Sequence, residues 1–374
     1  METVEQKELG PTPPHKIRES GIELFRIISM WLIVAHHFVV NSGVLEIAYQ
    51  NPLGANSLFL FLFGGWGKMG INCFVLITGY FMCTSQISTK KFVKLLAEVM
   101  FYKIIIYAIF ILTGYQEFTL TSLGRALLPF VEIGSNFTGC FLMFYLCIPF
   151  LNILVKNMNE RQHIYLLIIL LFIYTIIGTL PKFSVTMNYV SWFSVLYFIA
   201  SYIRIYPKKI FESKKIWGFA ALISFIISAI SIVACVWLGD KLDRNMAFYF
   251  VADSNKVLAV ITALCGFMFF KNLKFKSKFI NTVAASTFGV LLIHANSPTM
   301  RQWLWKDVVN VIGAYASSWL ILHAVVSVCM IYIVCTVIDF IRLRFIETPL
   351  MKKFDNRFRA IDEYIQGKNK KEQD

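Results

Sequence analysis

The sequence predicts an all-α integral membrane protein, a polytopic helical bundle with about ten transmembrane helices. Of its 374 residues, 57% are hydrophobic and only 16% are charged, whereas a soluble domain carries about 25% charged residues. The apolar residues fall in continuous runs of about 20, the length that an α-helix needs to cross a bilayer. These runs lack the alternation of polar and apolar residues that is typical of half-buried strands, so helices are predicted to span the membrane.

Ten spans are predicted, near residues 22–40, 57–83, 92–113, 136–155, 164–181, 190–206, 216–238, 257–271, 279–299 and 316–341. An even number of spans places both termini on one side of the membrane. The tails and loops on that side hold 25 of the 36 Lys and Arg residues, and the loops on the other side hold 7. The positive-inside rule therefore predicts that both termini are cytoplasmic. This topology, with attraction to anionic membrane lipids, explains the net charge of +14, so no nucleic-acid partner is needed.

The predicted topology divides the chain into three segments. Residues 1–20 are polar and rich in proline, and they are predicted to form a disordered cytoplasmic N-terminal tail. Residues 21–345 form the transmembrane domain, and residues 346–374 form a basic cytoplasmic C-terminal tail. No small-residue cleavage site follows the first apolar run, so the first span is expected to remain in the mature protein.

The cysteines do not indicate a metal site. All eight lie in apolar segments, with no CxxC pair and no zinc-like spacing to histidine. Buried cysteines of this kind behave as small hydrophobic side chains. We therefore predict neither a disulfide framework nor a bound metal.

The first span contains an unusual set of ionisable residues, Arg26, His36 and His37. The eleven-residue step from Arg26 to His37 covers three turns plus about 20°, so both side chains share one helix face, about 16 Å apart along the axis. Ionisable residues inside a membrane span are costly and mark functional sites. Arg26, His36 and His37 are therefore the candidate catalytic residues.

Two later spans bring further histidines to the side away from the cytoplasm. The ninth span ends at His294, and the tenth span holds His323 in its outer half. The predicted topology places both at a depth similar to that of His37. For His323, a hydrogen bond to a neighbouring helix is the simpler explanation.

Two charged groups lie on the predicted cytoplasmic side. Lys91 and Lys94 follow the second span and suit either phosphate binding or ordinary positive-inside anchoring, which the sequence leaves open. Arg342, Arg344 and Glu347 lie where the last span leaves the membrane, just before Pro349, so Glu347 has two neighbouring arginines to pair with. For this cluster a structural ion pair is favoured.

These residues resemble motifs of the membrane-bound acyltransferase-3 family, the O-acetyltransferases of bacterial surface polysaccharides, and most of all its capsular and exopolysaccharide branch. Arg26 followed by His37 is similar to the family's first motif, and the glycine-rich stretch 67–80 is similar to its second-span motif. Residues 141–152, 286–305 and 347–349 resemble the fourth-span, ninth-span and closing motifs. The order of these motifs along the chain, more than any one of them, makes the resemblance specific.

The resemblance implies an acyltransferase with cytosolic acetyl-CoA as co-substrate and no bound cofactor. The acceptor would be a hydroxyl of a cell-surface polysaccharide or of its lipid-linked precursor. The implied location is the bacterial inner membrane, as a multi-pass protein in contact with membrane lipids and with proteins of polysaccharide synthesis.

The resemblance also suggests a role for each candidate residue. His37 would act as general base or carry the acyl group briefly, with His36 or a second-span polar group to orient it. Arg26 would contact the donor phosphates or the developing charge. The remaining assignments are Lys91, Lys94, Tyr80 and Asn152 for the donor, and His294, Asn296 and Arg301 for the acceptor.

Two other function classes stay open from the sequence. A proton-coupled transporter or flippase for a lipid-linked sugar would use the histidines as a proton relay. A non-catalytic membrane partner of a polysaccharide synthase would not depend on His37. Consumption of acyl-CoA distinguishes the enzyme from both.

Overall fold

The structure, a computed structural model, describes residues 19–85, 87–130, 136–183 and 185–365, and all regular secondary structure in these ranges is helical. The first half holds α1 Ser20–Val40, α2 Val44–Ala48, α3 Ala55–Gly64, α4 Gly67–Met82, α5 Thr89–Leu112, α6 Leu120–Leu127, α7 Phe137–Asn157, α8 Glu160–Leu171 and α9 Tyr189–Ile205. The second half holds α10 Lys214–Lys241, α11 Val257–Lys271, α12 Lys278–Ala285, α13 Thr287–His294, α14 Pro298–Gln302, α15 Val311–Ala314, α16 Leu320–Arg342, α17 Thr348–Lys353 and α18 Asp355–Ile365. Short π-helical turns cover Phe172–Ile177, Trp303–Val308 and Leu343–Glu347, and a 3₁₀ turn covers Lys209–Glu212.

The described residues contain seven helical segments that are long and apolar enough to cross a membrane, or eight if one bent pair counts as a span. The apolar helices α9 and α11 are shorter, with 17 and 15 residues. The all-helical multi-pass architecture is therefore confirmed. The count of ten spans and the orientation of the termini stay predictions.

Helix α1 lies at the centre of the bundle. It contacts α3, α4, α11, α12, α13 and α16. By contrast, α5, α8, α10 and α16 expose apolar side chains along their outer faces, as helices in contact with lipid do. The polar residues of α1 therefore face protein, which is where a functional group in a membrane bundle must lie.

The predicted ninth span is broken. Helices α12 and α13 are separated at Ser286, and after His294 the chain bends by 93° into the segment Pro298–Ala314. Ser297 caps the new helix by accepting a hydrogen bond from the Met300 amide (3.1 Å), and Pro298 occupies its first turn. This turn positions residues 295–301 against α1.

The first described helix is tied to the bundle at its start. Helix α1 begins at Ser20, whose hydroxyl donates to Asn281 Oδ1 (2.9 Å). The predicted domain boundary at residue 345 falls inside the π-helical turn Leu343–Glu347, which continues into α17 and α18. Most of the predicted N-terminal tail (residues 1–18) and the last nine residues of the predicted C-terminal tail (366–374) lie outside the described residues.

All eight cysteines are free thiols, six of them buried and two half-buried in apolar surroundings. The described part of the chain contains no group of three or more His, Cys, Asp or Glu side chains able to hold a metal ion.

Candidate active site

A cavity of about 330 Å³ lies between α1, α4 and the turn that follows α13. We call it the histidine cavity, because His36 and His37 both form part of its wall. Its polar lining also includes Lys68, Asn136, Thr138, Tyr189, Asn296, Ser297 and Arg301. A volume of this size is at the lower end of the range for small-molecule sites.

A chain of hydrogen bonds runs through two imidazoles into this cavity. His294 Nδ1 lies 2.6 Å from the carbonyl oxygen of Val290, and His294 Nε2 lies 2.9 Å from His37 Nδ1. A carbonyl oxygen only accepts, so His294 Nδ1 must bear the proton. In neutral His294 the Nε2 atom is then an acceptor, and the hydrogen-bond network assigns the proton to His37 Nδ1.

The consequence concerns His37 Nε2. In neutral His37 this atom bears the lone pair, and the ring that holds it lines the cavity. His294 is fully buried behind it and does not line the cavity, and the ring of Trp305 packs edge-on against His294 at 6.3 Å. The residue that orients His37 is therefore His294, one helix away, and the cavity receives a single unprotonated nitrogen from this pair.

His36 is held separately from His37. Its Nδ1 atom donates to the carbonyl oxygen of Gly64 at 2.6 Å. Gly67 makes room for the ring, because a Cβ atom at this position would lie 2.2 Å from His36 Cγ. The carbonyl of Gly64 in α3 thus accepts from a cavity-lining imidazole, and Gly67 of the second-span motif leaves room for it.

Two cations and a tyrosine complete the polar wall. Lys68 Nζ donates to the Tyr189 hydroxyl at 2.7 Å and lies 3.6 Å from Asp253 Oδ1. Arg301 reaches the same cavity from the first turns after the 93° bend. The cavity therefore combines unprotonated imidazole with fixed positive charge, the pairing that an acyl-transfer site requires.

The cavity extends inward along α1 towards Arg26. Its deeper wall is formed by Met30 and Ile33 of α1, so it covers about 10 Å of the helix from His37. Arg26 lies one turn beyond Met30, about 6 Å further along the axis, with Nε 3.4 Å from Glu23 Oε2. Of the two first-motif residues, His37 therefore lines the cavity, and Arg26 lies just beyond its apolar end.

A second charged group lies where α16 and the turn after it meet α5; it is an ionic network centred on Arg342, which we call the Arg342 cluster. Arg342 contacts Asp339 (2.8 Å), Glu347 (2.6 Å) and Glu98 (3.0 Å). Lys94 pairs with Glu347 at 2.8 Å. Of the two neighbouring arginines, Arg342 therefore pairs with Glu347. Arg344 is exposed and lines a separate shallow cavity with Lys278 and Thr348.

The predicted donor residues each make contacts of their own in this structure. Lys91 is exposed in the first turn of α5. Tyr80 lies under the guanidinium of Arg204, which is 4.9 Å from the ring centroid. Asn152 donates to the carbonyl oxygens of Met82 (3.2 Å) and Ser85 (3.4 Å), so it caps the end of α4.

His323 and the predicted acceptor residues have different surroundings in the structure. His323 Nε2 donates to the Val309 carbonyl (3.0 Å) and its ring packs on Phe38 at 5.9 Å, as expected for a bundle histidine. Asn296 and Arg301 line the histidine cavity. Of the three predicted acceptor residues, two therefore face the cavity and His294 lies behind it.

Sequence reasoning missed Lys68, Tyr189 and Asn136 as cavity residues. Lys68 carried a usable signal, because it stands inside the glycine-rich second-span motif and within an apolar helix. Tyr189 and Asn136 lie at helix starts, where a polar residue is ordinary. Their place in the site depends on contacts between helices that are distant in sequence.

Together, the apolar helical fold and the histidine cavity define a multi-pass membrane protein with a polar cavity lined by imidazoles. The chain matches the acyltransferase domain family Acyl_transf_3 over residues 19–340. It therefore belongs to the acyltransferase-3 family and is a membrane acyltransferase. No curated protein and no solved structure matches the chain.

Proposed function

We propose that this protein is an integral membrane O-acyltransferase of the capsular and exopolysaccharide branch of its family. It would move an acetyl group from cytosolic acetyl-CoA to a hydroxyl of a cell-surface polysaccharide or of its lipid-linked precursor, in the bacterial inner membrane. Family membership supports acyl transfer. The observation that supports the chemistry is the hydrogen-bonded chain from Val290 through His294 to His37.

The proposed step uses His37 as general base. Its Nε2 atom takes the proton of the sugar hydroxyl while the hydroxyl oxygen attacks the thioester carbonyl carbon. The tetrahedral intermediate collapses as the carbon–sulfur bond breaks. The proton on His37 Nε2 then passes to the leaving thiolate, which leaves as CoA thiol, so protons balance over the cycle. His294 accepts from His37 Nδ1 throughout and stabilises the imidazolium.

Fixed cations would stabilise the negative charge that develops on the carbonyl oxygen. Lys68 is held by Tyr189 and Asp253, so it is already oriented before substrate binds. Arg301 supplies a second positive group in the same wall. Preorganised positive charge of this kind lowers the barrier of acyl transfer without reorganisation during the reaction.

The donor and the acceptor would approach from opposite ends. The acceptor hydroxyl would enter past Asn296 and Arg301, which line the cavity. The thioester arm would come from the Arg26 end and pass Met30, the apolar residue between Arg26 and the cavity. Arg26 and Lys91 would then hold the anionic part of the donor by charge.

The test is transfer of label from acetyl-labelled acetyl-CoA to surface glycan. Membranes with wild type, His37→Gln and His163→Gln, at matched levels, receive glycan extract from a strain that lacks the protein. His163 is a matched control because it is a buried histidine of α8, bonded to the Phe198 carbonyl (3.0 Å) and outside the cavity.

Base-labile label in the glycan with wild type and His163→Gln, and its loss with His37→Gln, is the expected result. Equal label with all three proteins would contradict the role of His37. Proton-coupled movement of a lipid-linked sugar without consumption of acetyl-CoA would contradict acyl transfer altogether.

A further inference from the structure

Tyr189 is part of the wall of the histidine cavity and is held firmly there. It is the first residue of α9 and is 8% exposed. Its ring stacks on Phe193, one turn further along the helix, with the ring centroids 5.5 Å apart and the planes 22° apart. Asn188 caps the helix just before it by accepting a hydrogen bond from the Ser191 amide at 2.9 Å. The ring is therefore fixed in the cavity wall before a substrate binds.

The hydroxyl group of Tyr189 has a hydrogen to donate. Lys68 Nζ lies 2.7 Å from the hydroxyl oxygen, and an ammonium group can only donate, so the oxygen accepts this hydrogen bond. A phenol hydroxyl also carries one hydrogen of its own. Among the described residues, no acceptor lies within hydrogen-bond distance of it. The O–H group of Tyr189 can therefore donate to a ligand in the cavity.

The ammonium group of Lys68 makes this O–H a stronger donor. A hydroxyl that accepts a hydrogen bond from a cation is polarised, and the hydrogen bond that it donates is strengthened in turn. Lys68 Nζ also lies 3.6 Å from Asp253 Oδ1, which accepts from the Ser254 amide at 2.8 Å. The Tyr189 hydroxyl is therefore the last group of a chain that runs from Asp253 through Lys68 to the cavity.

A second set of contacts, one turn further along α4, fixes this chain in place. Asn72 lies four residues after Lys68 and is fully buried. It donates to the Ser254 carbonyl at 2.7 Å and accepts from Trp192 Nε1 at 2.9 Å. These two residues belong to the same segments as the two partners of Lys68, namely the start of α9 and the loop before α11. Both segments are therefore tied to α4 twice, as a preorganised site requires.

The chain ends close to the imidazoles. Gly67, the residue before Lys68, packs against His36, because a Cβ atom there would lie 2.2 Å from His36 Cγ. His37, Lys68 and Tyr189 line the same cavity of about 330 Å³, a volume at the lower end of the range for small-molecule sites. A thioester carbonyl and an acceptor hydroxyl that meet at His37 are therefore enclosed by the wall that Tyr189 forms.

We propose that Tyr189 is a further catalytic residue, whose O–H donates a hydrogen bond to the thioester carbonyl oxygen as that oxygen becomes negative. Lys68 acts through this hydroxyl, and Asp253 and Asn72 are positioning residues. Tyr189 keeps its proton throughout. The bond from the acceptor oxygen to the acyl carbon forms, the carbon–sulfur bond breaks, and the proton travels through His37. The inference rests on the proposed function, because it assigns a role in that reaction.

The experiment measures kcat and KM for label transfer from acetyl-CoA at matched amounts of folded protein. Wild type is compared with Tyr189→Phe, Lys68→Met and the double variant. Tyr189→Phe removes one oxygen atom and keeps the ring that stacks on Phe193. Tyr202→Phe is the matched control on the same helix, because the Tyr202 hydroxyl donates to Glu160 Oε1 at 3.0 Å, outside the cavity.

We expect Tyr189→Phe to lower kcat by about 10²–10³-fold, the usual cost of removing one donor to an oxyanion, with little change in KM. Tyr202→Phe should leave kcat unchanged. Lys68→Met should lower kcat by a smaller factor, because the Tyr189 hydroxyl remains. The double variant should lose no more than Tyr189→Phe alone, because groups that act as one unit are not additive.

Unchanged kcat with Tyr189→Phe would overturn the proposal, and so would a full additional loss in the double variant. A rise in KM at constant kcat would overturn it as well, because Tyr189 would then bind substrate without stabilising the oxyanion. In all three cases the wild type still transfers label and still depends on His37. If the wild type transfers no label, the proposed function fails and this inference fails with it.

Discussion

Two regions of the bundle use ionisable side chains in different ways. In the Arg342 cluster, one guanidinium contacts Asp339, Glu347 and Glu98 at 2.6–3.0 Å and is 4% exposed. In the other region, the chain of hydrogen bonds from Val290 through His294 ends at His37, in the wall of a cavity of about 330 Å³.

The difference shows that an ionisable residue inside a span is not by itself a reactive group. In the Arg342 cluster, the donors of the guanidinium are directed at carboxylates that belong to the protein. In the histidine cavity, the hydrogen-bond network leaves the Nε2 atom of His37 unprotonated, so this atom can accept a proton from a substrate. The first arrangement stabilises the bundle, and the second is suited to proton transfer.

The largest expected effect is on the rate of transfer when His37 is changed. His37→Gln removes the unprotonated nitrogen, and we expect the rate to fall by about 10²–10⁴-fold, the usual contribution of a general base. The measurement is the initial rate of label transfer from acetyl-CoA at matched protein levels. His36→Gln provides the contrast inside the same cavity.

The contrast follows from geometry. His36 Nδ1 donates to the Gly64 carbonyl, whereas His37 Nδ1 donates to a second imidazole, His294, which is itself held by Val290. His294 can stabilise an imidazolium at His37, so His36→Gln should cost less than His37→Gln. A larger loss with His36→Gln would assign the base to His36.

The next largest effect concerns stability. Arg342→Leu leaves three buried carboxylates without their common cation, and loss of one partner of a buried ionic network costs about 3–5 kcal/mol. We expect a lower midpoint of thermal unfolding in detergent and less folded protein in the membrane. Transfer per folded molecule should stay close to wild type, because the cluster does not line the histidine cavity.

A control separates the charge from the packing in this cluster. Lys94→Gln removes the partly exposed cation that pairs with Glu347 and should cost much less than Arg342→Leu, because exposed pairs contribute about 1 kcal/mol or less. If both variants unfold at the same temperature, the network does not stabilise the bundle in the way proposed.

A smaller effect on rate tests His294 as a positioning residue. His294→Leu removes the acceptor for His37 Nδ1. We expect the rate to fall by about 10–10²-fold, the usual cost of losing a side chain that orients a functional imidazole. His294→Gln keeps an oxygen acceptor and should restore much of the rate. Equal loss with Leu and Gln would indicate packing alone, and the pH profile should shift with Leu but not with Gln.

Much of this arrangement follows from local sequence. The eleven-residue step from Arg26 to His37 predicts one helix face, and the structure places the cavity along that face, past Met30 and Ile33. Apolar run length likewise predicts the helical membrane class. Both inferences need only the period and length of one segment.

The rest depends on contacts between distant segments. His37 and His294 are 257 positions apart, and nothing in either segment predicts that their rings meet. The same holds for the ion pair between Lys94 of α5 and Glu347, which follows α16. Helix crossing sets these partners, and a single sequence contains no direct signal for it.

A modest effect on donor binding tests the predicted side of entry. Lys91→Gln should raise KM for acetyl-CoA about threefold to tenfold with little change in kcat, since loss of one exposed phosphate contact costs about 1 kcal/mol. Lys90→Gln is the matched control, because it removes the same charge one residue away, at a side chain that contacts Asp355. Equal KM values for both variants would show that Lys91 does not bind acetyl-CoA at the start of α5.

The smallest expected effect concerns how α18 is held against α5. Asp362 accepts from the Thr89 amide (2.7 Å), and Asp355 contacts Lys90 and Arg359. Hydrogen bonds from Lys90 and then Arg359 lower the pKa of Asp355 below its usual value. The stabilisation is therefore complete at neutral pH and is lost only as the pH falls through that lowered pKa.

At neutral pH, Asp355→Asn should slightly increase the opening of α18 from α5. We expect the wild type to open to that extent only in acid. Hydrogen exchange of α18, corrected for intrinsic rates, should rise in the variant, and added salt should raise it in the wild type, because exposed ion pairs are screened. Transfer activity should not change in either case. Faster exchange in the helices around the histidine cavity would instead show that α18 and the cavity are coupled. The two regions would then not be independent.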